Sequence, residues 1–406
     1  MVVNFQIHIL IAHKMLHKLT LFVLTYQRQN FAQRLMRYWS GQKPQVIVID
    51  GSKNPIEASQ IRDLGDNIKY IHNPVSIYQR LRSGLSMIST EYVALAGDDE
   101  FFIPSALSAC IKMLDEDKEL VACCGRCLGF YPEKNQVLGT QVYPELSGYS
   151  VVDDDPLIRV QRHMESYEVS QIYAVCRTKS WTQAFDQITL REFPFFAAGE
   201  IQFEMCMSFA GKSMVIPNLM WLRSLGENAP IRYTDTDVSL NPSKRFPQWW
   251  RDNSNKKQHD EFIDIMIGAF SLLNEKSEYN YSAAVIAGCE AFIRETYNDL
   301  LPLPRKNLYY FLRRRLALVL PIGLKSRIKQ LFRPAKEDLS EPKTMLAVPE
   351  DLRASEDLSE PKTMLAVAED LRASGVEIDF PALKEIEQVI LDFHRNSFTS
   401  DPPIQI

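Results

Sequence analysis

Short apolar runs alternate with amphipathic stretches along the first hundred residues. Residues 19–24 form a continuous apolar run typical of a buried strand, and residues 31–39 carry apolar side chains at helical spacing. Further strands are predicted at 45–50, 68–71 and 92–96, and further helices at 55–64 and 77–88. Continuous apolar strands between amphipathic helices are typical of a mostly parallel sheet that helices cover on both faces. The pattern therefore predicts an α/β fold.

The pattern becomes less regular after residue 120. Apolar runs at 121–124 and 172–176 predict two more strands, separated by turn-rich segments. Residues 200–210 predict a helix that ends before Gly211, a residue favoured at helix C-termini, and residues 214–217 predict the next strand. Amphipathic helices are predicted within 261–300, and a short final helix at 383–393.

A near-identical internal repeat lies toward the end of the chain. Residues 337–355 recur as residues 356–374 with a single change, Pro349 to Ala368. Two copies are too few for a solenoid, and their excess of acidic residues favours a solvated, partly helical connector. We therefore divide the chain into five parts. They are an N-terminal extension (1–18), a main α/β domain (19–235), a helical region (236–333), a duplicated linker (334–375), and a short helix with a tail (376–406).

The composition is that of an ordinary globular protein, with 46% hydrophobic and 24% charged residues. A net charge of -5 gives no reason to expect nucleic acid as a partner. The seven cysteines lie in apolar stretches, which favours reduced thiols and a cytoplasmic location. Residues 1–18 lack the basic start and the cleavage site of a secretory signal. No apolar run approaches the ~20 residues of a transmembrane helix.

Residues 305–333 contain nine Lys or Arg residues and no acidic residue, interleaved with aromatic and aliphatic side chains. Such a basic amphipathic segment is a candidate for peripheral contact with an anionic membrane surface. A basic helix packed against the domain explains the same pattern equally well. Both interpretations stay open at this point.

Three carboxylates, Asp98, Asp99 and Glu100, follow the strand predicted at 92–96. Like charges so close raise one another's pKa, so the cluster is costly unless a cation or a hydrogen-bond donor lies among them. A hard divalent cation with a phosphate ligand would suit these oxygen ligands. A solvated acidic turn is the alternative.

Polar residues also follow the first two predicted strands. Thr25 and Tyr26 come directly after the first strand, and Asp50 ends the second. Ligands of open α/β sheets bind beyond the carboxyl ends of the strands. We therefore expect these residues and the acidic cluster to meet at one edge of the sheet.

Four segments in this order and spacing resemble glycosyltransferase family 2. They are Thr25-Tyr26-Gln27-Arg28, residues 46–52, residues 92–100, and Gly199-Glu200 with the helix that leads to Ala210-Gly211 and then Ile216-Pro217. Family members carry a T-Y-N-R-like loop, a strand ending in D-D-G-S, a D-x-D-type acidic motif and a G-E-D helix. This chain differs from that pattern: Gln27 replaces the usual Asn, a single Asp precedes Gly51, and Glu200 replaces Asp. The resemblance covers about residues 19–217, and residues 221–228 look like the continuation in one bacterial subgroup.

This resemblance implies a GT-A fold, a Rossmann-like mostly parallel sheet with flanking helices, here followed by a C-terminal helical extension. It implies an inverting transfer of a sugar from a nucleoside diphosphate sugar to a hydroxyl of a glycan or lipid-linked acceptor, usually with Mg2+ or Mn2+. The expected enzyme works in the cytoplasm on a cell-surface or exported polysaccharide precursor. A non-catalytic nucleotide-sugar-binding or scaffolding homologue is one alternative. A nucleotidyltransferase is another, although residues 25–30 lack the glycine-rich phosphate loop usual in that class.

The resemblance also implies roles for residues at the nucleotide side of the edge. Thr25 and Tyr26 would flank the base, and Arg28 belongs to the same nucleotide-sugar-binding loop. Asp50 would accept hydrogen bonds from the base or the ribose.

The resemblance implies that the acidic cluster binds the metal ion. Asp98 would meet the ribose or the metal, and Asp99 would ligate the ion, which neutralises the charge of the leaving diphosphate. Arg80 and Arg82 could support the same phosphates, and a solvated helix face is their alternative explanation.

An inverting transfer also needs a base that takes the proton from the acceptor hydroxyl. Glu200 falls on the family's base position, and Glu204, one turn later, is the reserve candidate. A structural salt bridge is the alternative for either residue. Trp181 and Trp221 are candidate platforms for an acceptor sugar, with burial in the core as the alternative.

Overall fold

Ten strands of the described residues form one sheet, and helices pack around it. The computed structural model describes residues 15–194, 197–225, 246–273, 279–298 and 361–398. The strands are β1 (Leu19–Thr25), β2 (Gln45–Asp50), β3 (Ile68–His72), β4 (Tyr92–Ala96), β5 (Phe101–Phe102), β6 (Leu120–Glu133), β7 (Gln136–Gln141), β8 (Ser150–Val151), β9 (Val175–Arg177) and β10 (Lys212–Ser224). The helices are α1 (Gln29–Trp39), α2 (Ala58–Ile61), α3 (Ile77–Leu85), α4 (Pro104–Glu116), α5 (Pro156–Glu165), α6 (Thr178–Ile188), α7 (Ala197–Ala210), α8 (Phe246–Arg251), α9 (Lys256–Leu273), α10 (Tyr281–Asn298), α11 (Met364–Ala373) and α12 (Phe380–Phe398).

The centre of the sheet is mostly parallel, as the sequence predicts. The strand order is β3-β2-β1-β4-β9-β6-β10-β5, with β7 paired to β6 and β8 paired to β10. The strands from β3 to β4 pair in parallel, and β6 pairs in parallel with β10. β9 runs antiparallel to both of its neighbours. The α/β class is therefore confirmed, and the architecture agrees with the GT-A fold that the family resemblance implies.

The register of the first strands brings their carboxyl ends together. Thr25 at the end of β1 lies opposite Asp50 at the end of β2, and Val23 lies opposite Ala96 at the end of β4. The strands themselves are buried: Phe22 and Val48 have no exposed surface. Burial of a large apolar side chain stabilises the fold by about 1.5–3 kcal/mol. The buried sheet thus brings Thr25, Asp50 and the residues that follow Ala96 to one edge.

Two predicted elements are shorter than expected. The helix predicted at 55–64 is a single turn, because residues 57–60 are all exposed and give it no buried face. The strand predicted at 172–176 begins only at Val175, because the backbone N–H of Ile172 donates to the Glu204 carboxylate at 3.0 Å instead of to a neighbouring strand. The elements that were not predicted include α4, α5, α6 and β7.

The two C-terminal helices pack against the sheet domain. The backbone N–H of Gly139 donates to the Lys362 carbonyl at 3.0 Å, and the N–H of Glu377 donates to the Pro217 carbonyl at 2.9 Å. In α11, Met364 and Ala368 have no exposed surface. For the described end of the second repeat copy, the prediction of a partly helical connector agrees with α11, whereas the prediction that it is solvated is wrong, because one face of this helix is buried.

Several predictions fall outside the described residues. They concern most of the N-terminal extension, the continuation at Glu227 and Asn228, the basic segment 305–333 and the first repeat copy. The proposed domain boundaries stay predictions. Within the described ranges, no helix combines the length and the apolar character that crossing a membrane requires.

Candidate active site

The carboxylate of Asp50 is held firmly at the end of β2. It is fully buried, and its Oδ1 accepts from the backbone N–H of Ser52 at 2.8 Å. Its Oδ2 accepts from Gln29 Nε2 at 2.5 Å and from the Tyr70 hydroxyl at 2.6 Å. These bonds fix the carboxylate beside the end of β1, although this chain's own groups already occupy both oxygens.

Arg80 lies beneath the same edge and is almost completely buried, at 1% exposure. Its guanidinium donates to the Thr25 carbonyl and lies 5.7 Å from the ring centre of Tyr26. A Cβ atom at Gly51 would come within 2.5 Å of Arg80 Cζ, so only glycine leaves room for this contact. The solvated-face alternative is therefore wrong for Arg80, which ties the ends of β1 and β2 together.

Arg82 does not contact this edge of the sheet and pairs instead with Asp186. Its guanidinium donates to the Asp186 carbonyl at 2.8 Å and forms an ion pair with the Asp186 carboxylate at 3.3 Å. It also donates to the Thr189 hydroxyl at 3.3 Å. Arg82 is thus bound to the end of α6.

Asp98 and Asp99 form a buried acidic corner after β4, each with 6% exposure. Asp98 Oδ2 accepts from the Thr25 hydroxyl at 2.7 Å, and Asp98 Oδ1 lies 3.4 Å from Arg28 Nε. The same guanidinium forms an ion pair with Asp99. Burial raises the pKa of Asp98 to about 7, against the opposing charge of Arg28. The solvated-turn alternative is wrong, because a cation and a hydroxyl donor lie among the carboxylates.

Arg34 of α1 holds the backbone of this corner, and sequence reasoning missed it. Its Nη2 donates to the Asp99 carbonyl at 2.8 Å, and the side chain is buried at 4% exposure. Its place in the amphipathic pattern of residues 31–39 suggests an ordinary helix position. Only the tertiary contact reveals its role.

Glu100 is partly buried and bonds to a tryptophan. Its Oε2 accepts from the indole N–H of Trp221 at 2.8 Å, and burial raises the pKa of Glu100 to about 8. Trp221 stacks on Tyr173 with ring centres 4.2 Å apart. Both Trp221 and Trp181 have no exposed surface, so the interpretation of either as a sugar platform is wrong.

Glu200 lies in the first turn of α7 and is partly buried. Its Oε1 accepts from the Tyr167 hydroxyl at 3.0 Å. Burial raises the pKa of Glu200 to about 7, the charge of Glu204 adds to this shift, and the bond from Tyr167 opposes it. The carboxylate is thus set to change protonation state near neutral pH.

Glu204 lies one turn further, with no exposed surface. Its Oε2 pairs with His163 Nε2 at 2.8 Å, and its Oε1 accepts from the backbone N–H of Ile172 at 3.0 Å. His163 Nδ1 lies 2.5 Å from the Tyr149 hydroxyl. Both oxygens of Glu204 are therefore engaged inside the protein.

Glu200 and the acidic corner lie near a common side chain, Tyr173. Glu200 also lines a small apolar pocket with Leu24 of β1 and Leu95 of β4, and neither Asp98 nor Asp99 is among the residues that line it. Tyr173 lies between the two groups: burial raises the pKa of its hydroxyl, and the negative charges of Glu100, Glu200 and Asp99 raise it further. Tyr167 was missed because it lies on a segment without a recognisable pattern, and Tyr173 because it lies in the apolar run that predicts a buried strand.

The Asp98–Asp99 pair suits a hard cation in its chemistry. Mg2+ is usually held by one or two carboxylates together with substrate phosphates. The guanidinium of Arg28 contacts both carboxylates, so positive charge is accepted at this position. Within the described ranges, no three His, Cys, Asp or Glu side chains group into a metal site made by protein alone.

Comparison with known proteins gives a match to one family model for part of the chain. Residues 20–181 match the family model described as glycosyl transferase family 2. Glu200 lies beyond this match, so its candidate role depends on the geometry above. No curated protein matches the chain.

The solved structures similar to the chain include four of TarS from S. aureus. The crystal structure of TarS residues 1–349 has 12% sequence identity and a TM-score of 0.40, over 69% of this chain and 91% of that chain. The complex of the same TarS piece with UDP-GlcNAc has 12% identity and a TM-score of 0.35 over the same shares. The match over residues 20–181 agrees with the resemblance to glycosyltransferase family 2 in the sequence, and it supports a glycosyltransferase.

Proposed function

We propose that this glycosyltransferase is an inverting, metal-dependent enzyme that moves a sugar from a nucleoside diphosphate sugar to an acceptor hydroxyl. One observation carries the proposal. A partly buried carboxylate, Glu200, with its pKa raised to about 7, and Asp99 of the acidic corner both act on the Tyr173 hydroxyl that lies between them. A base of this pKa and a cation-accepting corner are the two groups that such a transfer needs.

The donor nucleotide is assigned to the edge formed by β1, β2 and β4. Thr25 and Tyr26 are proposed to contact the base and the ribose. Asp50, whose two oxygens are bonded within the protein, is proposed to hold the backbone of Ser52 beside them. Arg28 is proposed to pair with the diphosphate, since a guanidinium matches phosphate oxygens in geometry and charge. Arg80 is proposed to act indirectly, because its buried guanidinium supports the backbone of Thr25 and Gly51.

Glu200 is proposed as the general base. A base works best when its pKa lies near the working pH, because it is then deprotonated and still takes up a proton readily. Glu204 is assigned a structural role, because both of its oxygens are bonded within the protein.

Asp99, with Asp98, is proposed to hold Mg2+ or Mn2+ when the donor is bound. The ion would supply positive charge to the leaving diphosphate. Asp98 and Asp99 contribute oxygen ligands at a buried position where charges interact strongly.

The proposal is tested by release of nucleoside diphosphate from a panel of sugar donors with Mn2+. We expect turnover by the wild-type protein and a loss of at least about a hundredfold for Asp99→Ala, because the carboxylate that holds the ion is gone. Asp63→Ala, at an exposed position in the same domain, is the matched control and should leave the rate unchanged. Equal rates for Asp99→Ala and wild type would refute the metal role.

The same assay separates the alternatives. Donor binding without transfer by the wild-type protein would indicate a nucleotide-sugar-binding or scaffolding homologue. Release of pyrophosphate from a nucleoside triphosphate and a sugar phosphate would indicate a nucleotidyltransferase.

We further propose a glycan or lipid-linked acceptor and work in the cytoplasm, with peripheral membrane contact through residues 305–333. The support is the basic amphipathic composition of that segment. Flotation with anionic vesicles should show binding that weakens as salt rises, and binding that survives deletion of 305–333 would reject the idea.

A further inference from the structure

The C-terminal helix reaches the acidic corner through a buried arginine. The guanidinium of Arg34 lies between three rings: 4.8 Å from the centre of Phe393 in α12, 4.9 Å from that of Phe101, and 5.2 Å from that of Phe31. The same guanidinium donates to the Asp99 carbonyl at 2.8 Å. One side chain thus joins the C-terminal helix to the backbone of a proposed metal ligand.

The ring of Phe393 makes a second contact near the acidic corner. Phe393 packs against Phe31 with ring centres 5.3 Å apart. The guanidinium of Arg28, which pairs with Asp98 and Asp99, also lies 4.8 Å from the centre of the Phe31 ring. Both arginines that touch the corner therefore pack on Phe31, and Phe393 of α12 packs against that ring.

The position of α12 does not depend on Phe393 alone. Leu383, Ile386 and Ile390 are fully buried, and the Ser105 hydroxyl donates to Asp379 Oδ2 at 2.7 Å just before the helix begins. A change at Phe393, which is only partly buried, should therefore leave the helix docked. This separates the contact to Arg34 from the attachment of the helix.

We propose that Phe393 is a positioning residue: its aromatic face holds the Arg34 guanidinium, and Arg34 holds the backbone of Asp99 in place. An arginine over an aromatic face is stabilised by the negative charge of the ring face, and more so where water is excluded. An aliphatic side chain fills space but lacks that charge. The effect on catalysis depends on the proposed function, whereas the effect on the Asp99 backbone does not.

The test compares Phe393→Tyr, which keeps the aromatic face, with Phe393→Leu, which keeps apolar volume only. The first measurement is hydrogen exchange of the backbone amides of residues 97–103 in the full chain. For Phe393→Leu we expect exchange about five- to tenfold faster, the change in an opening equilibrium that loss of one partly buried cation–π contact produces. Phe393→Tyr should exchange like wild type. Leu391→Ala, also in α12, controls for general loosening of the helix.

The second measurement is the donor KM and kcat of the same variants. Phe393→Leu should raise the donor KM by about fivefold with a smaller change in kcat, and Phe393→Tyr should restore both. Wild-type exchange rates in Phe393→Leu, or equal acceleration in Phe393→Tyr and Leu391→Ala, would overturn the proposal. If the exchange result holds while the wild-type protein transfers no sugar, the positioning role stands and the proposed function fails.

Discussion

The Tyr167 hydroxyl and the Glu200 carboxylate share a hydrogen bond of 3.0 Å in a poorly hydrated place. Burial favours the neutral carboxyl and the hydrogen bond favours the charged one, and burial dominates, so the pKa rises to about 7. The ring of Phe292 in α10 packs 5.0 Å from Tyr167 and supports its position. The protonation of one side chain is thus set by two neighbours that the chain supplies from distant segments.

Tyr167→Phe should move the acidic limb of the pH–rate profile to higher pH. Without the donated hydrogen bond, nothing from Tyr167 opposes the effect of burial, so the pKa of Glu200 rises and the active carboxylate forms only at higher pH. The measurement is kcat/KM for the donor from pH 5 to 9. Tyr131→Phe, on β6, is the control. A limb that stays in place or moves to lower pH would contradict this assignment.

Glu204→Ala should mainly destabilise the fold. The change leaves His163 and the backbone N–H of Ile172 buried without their partner, which typically costs about 3 kcal/mol. Denaturant unfolding monitored by tryptophan fluorescence measures the loss. Glu200→Gln, by contrast, should change the unfolding free energy much less. Unchanged stability in Glu204→Ala would show that the buried pair has no structural role.

At the scale of elements, the spacing of apolar residues predicts the strands and helices whose formation depends mainly on that spacing. β1, β2, β4, α1 and α7 match their predicted positions within a few residues, because their apolar spacing and the sheet they build agree. The segment between α5 and β9 could not be predicted, since its backbone is held by the Glu204 carboxylate rather than by a strand. The same holds for α11, whose buried face depends on the sheet it packs against.

Ala368→Pro should detach α11, and it makes the second repeat copy identical to the first in sequence. Ala368 lies inside the helix with no exposed surface, and proline there removes a backbone hydrogen bond and clashes with the preceding turn. We expect a loss of about 3 kcal/mol. Denaturant unfolding and proteolysis within residues 361–375 measure it. Glu369→Ala, at an exposed position of the same helix, should change stability by less than about 0.5 kcal/mol. Wild-type stability of Ala368→Pro would contradict the packing described.

At the scale of the whole molecule, the sheet gathers residues that are far apart in sequence. Thr25 and Asp98 share a hydrogen bond across β1 and β4, and Leu24, Leu95 and Glu200 line one pocket. The strand ends and the family resemblance predict this gathering. They do not predict that Arg28 pairs with both aspartates or that Glu100 turns toward Trp221, because side-chain partners depend on three-dimensional contacts.

The central claim is that Glu200 is the base of a sugar transfer at this edge. The most direct test is the turnover of Glu200→Gln with a matched donor and acceptor, alongside its affinity for the donor. We predict a fall in kcat of at least about a hundredfold with donor affinity unchanged, because an amide cannot accept the proton. Turnover by Glu200→Gln at the wild-type rate would contradict the account.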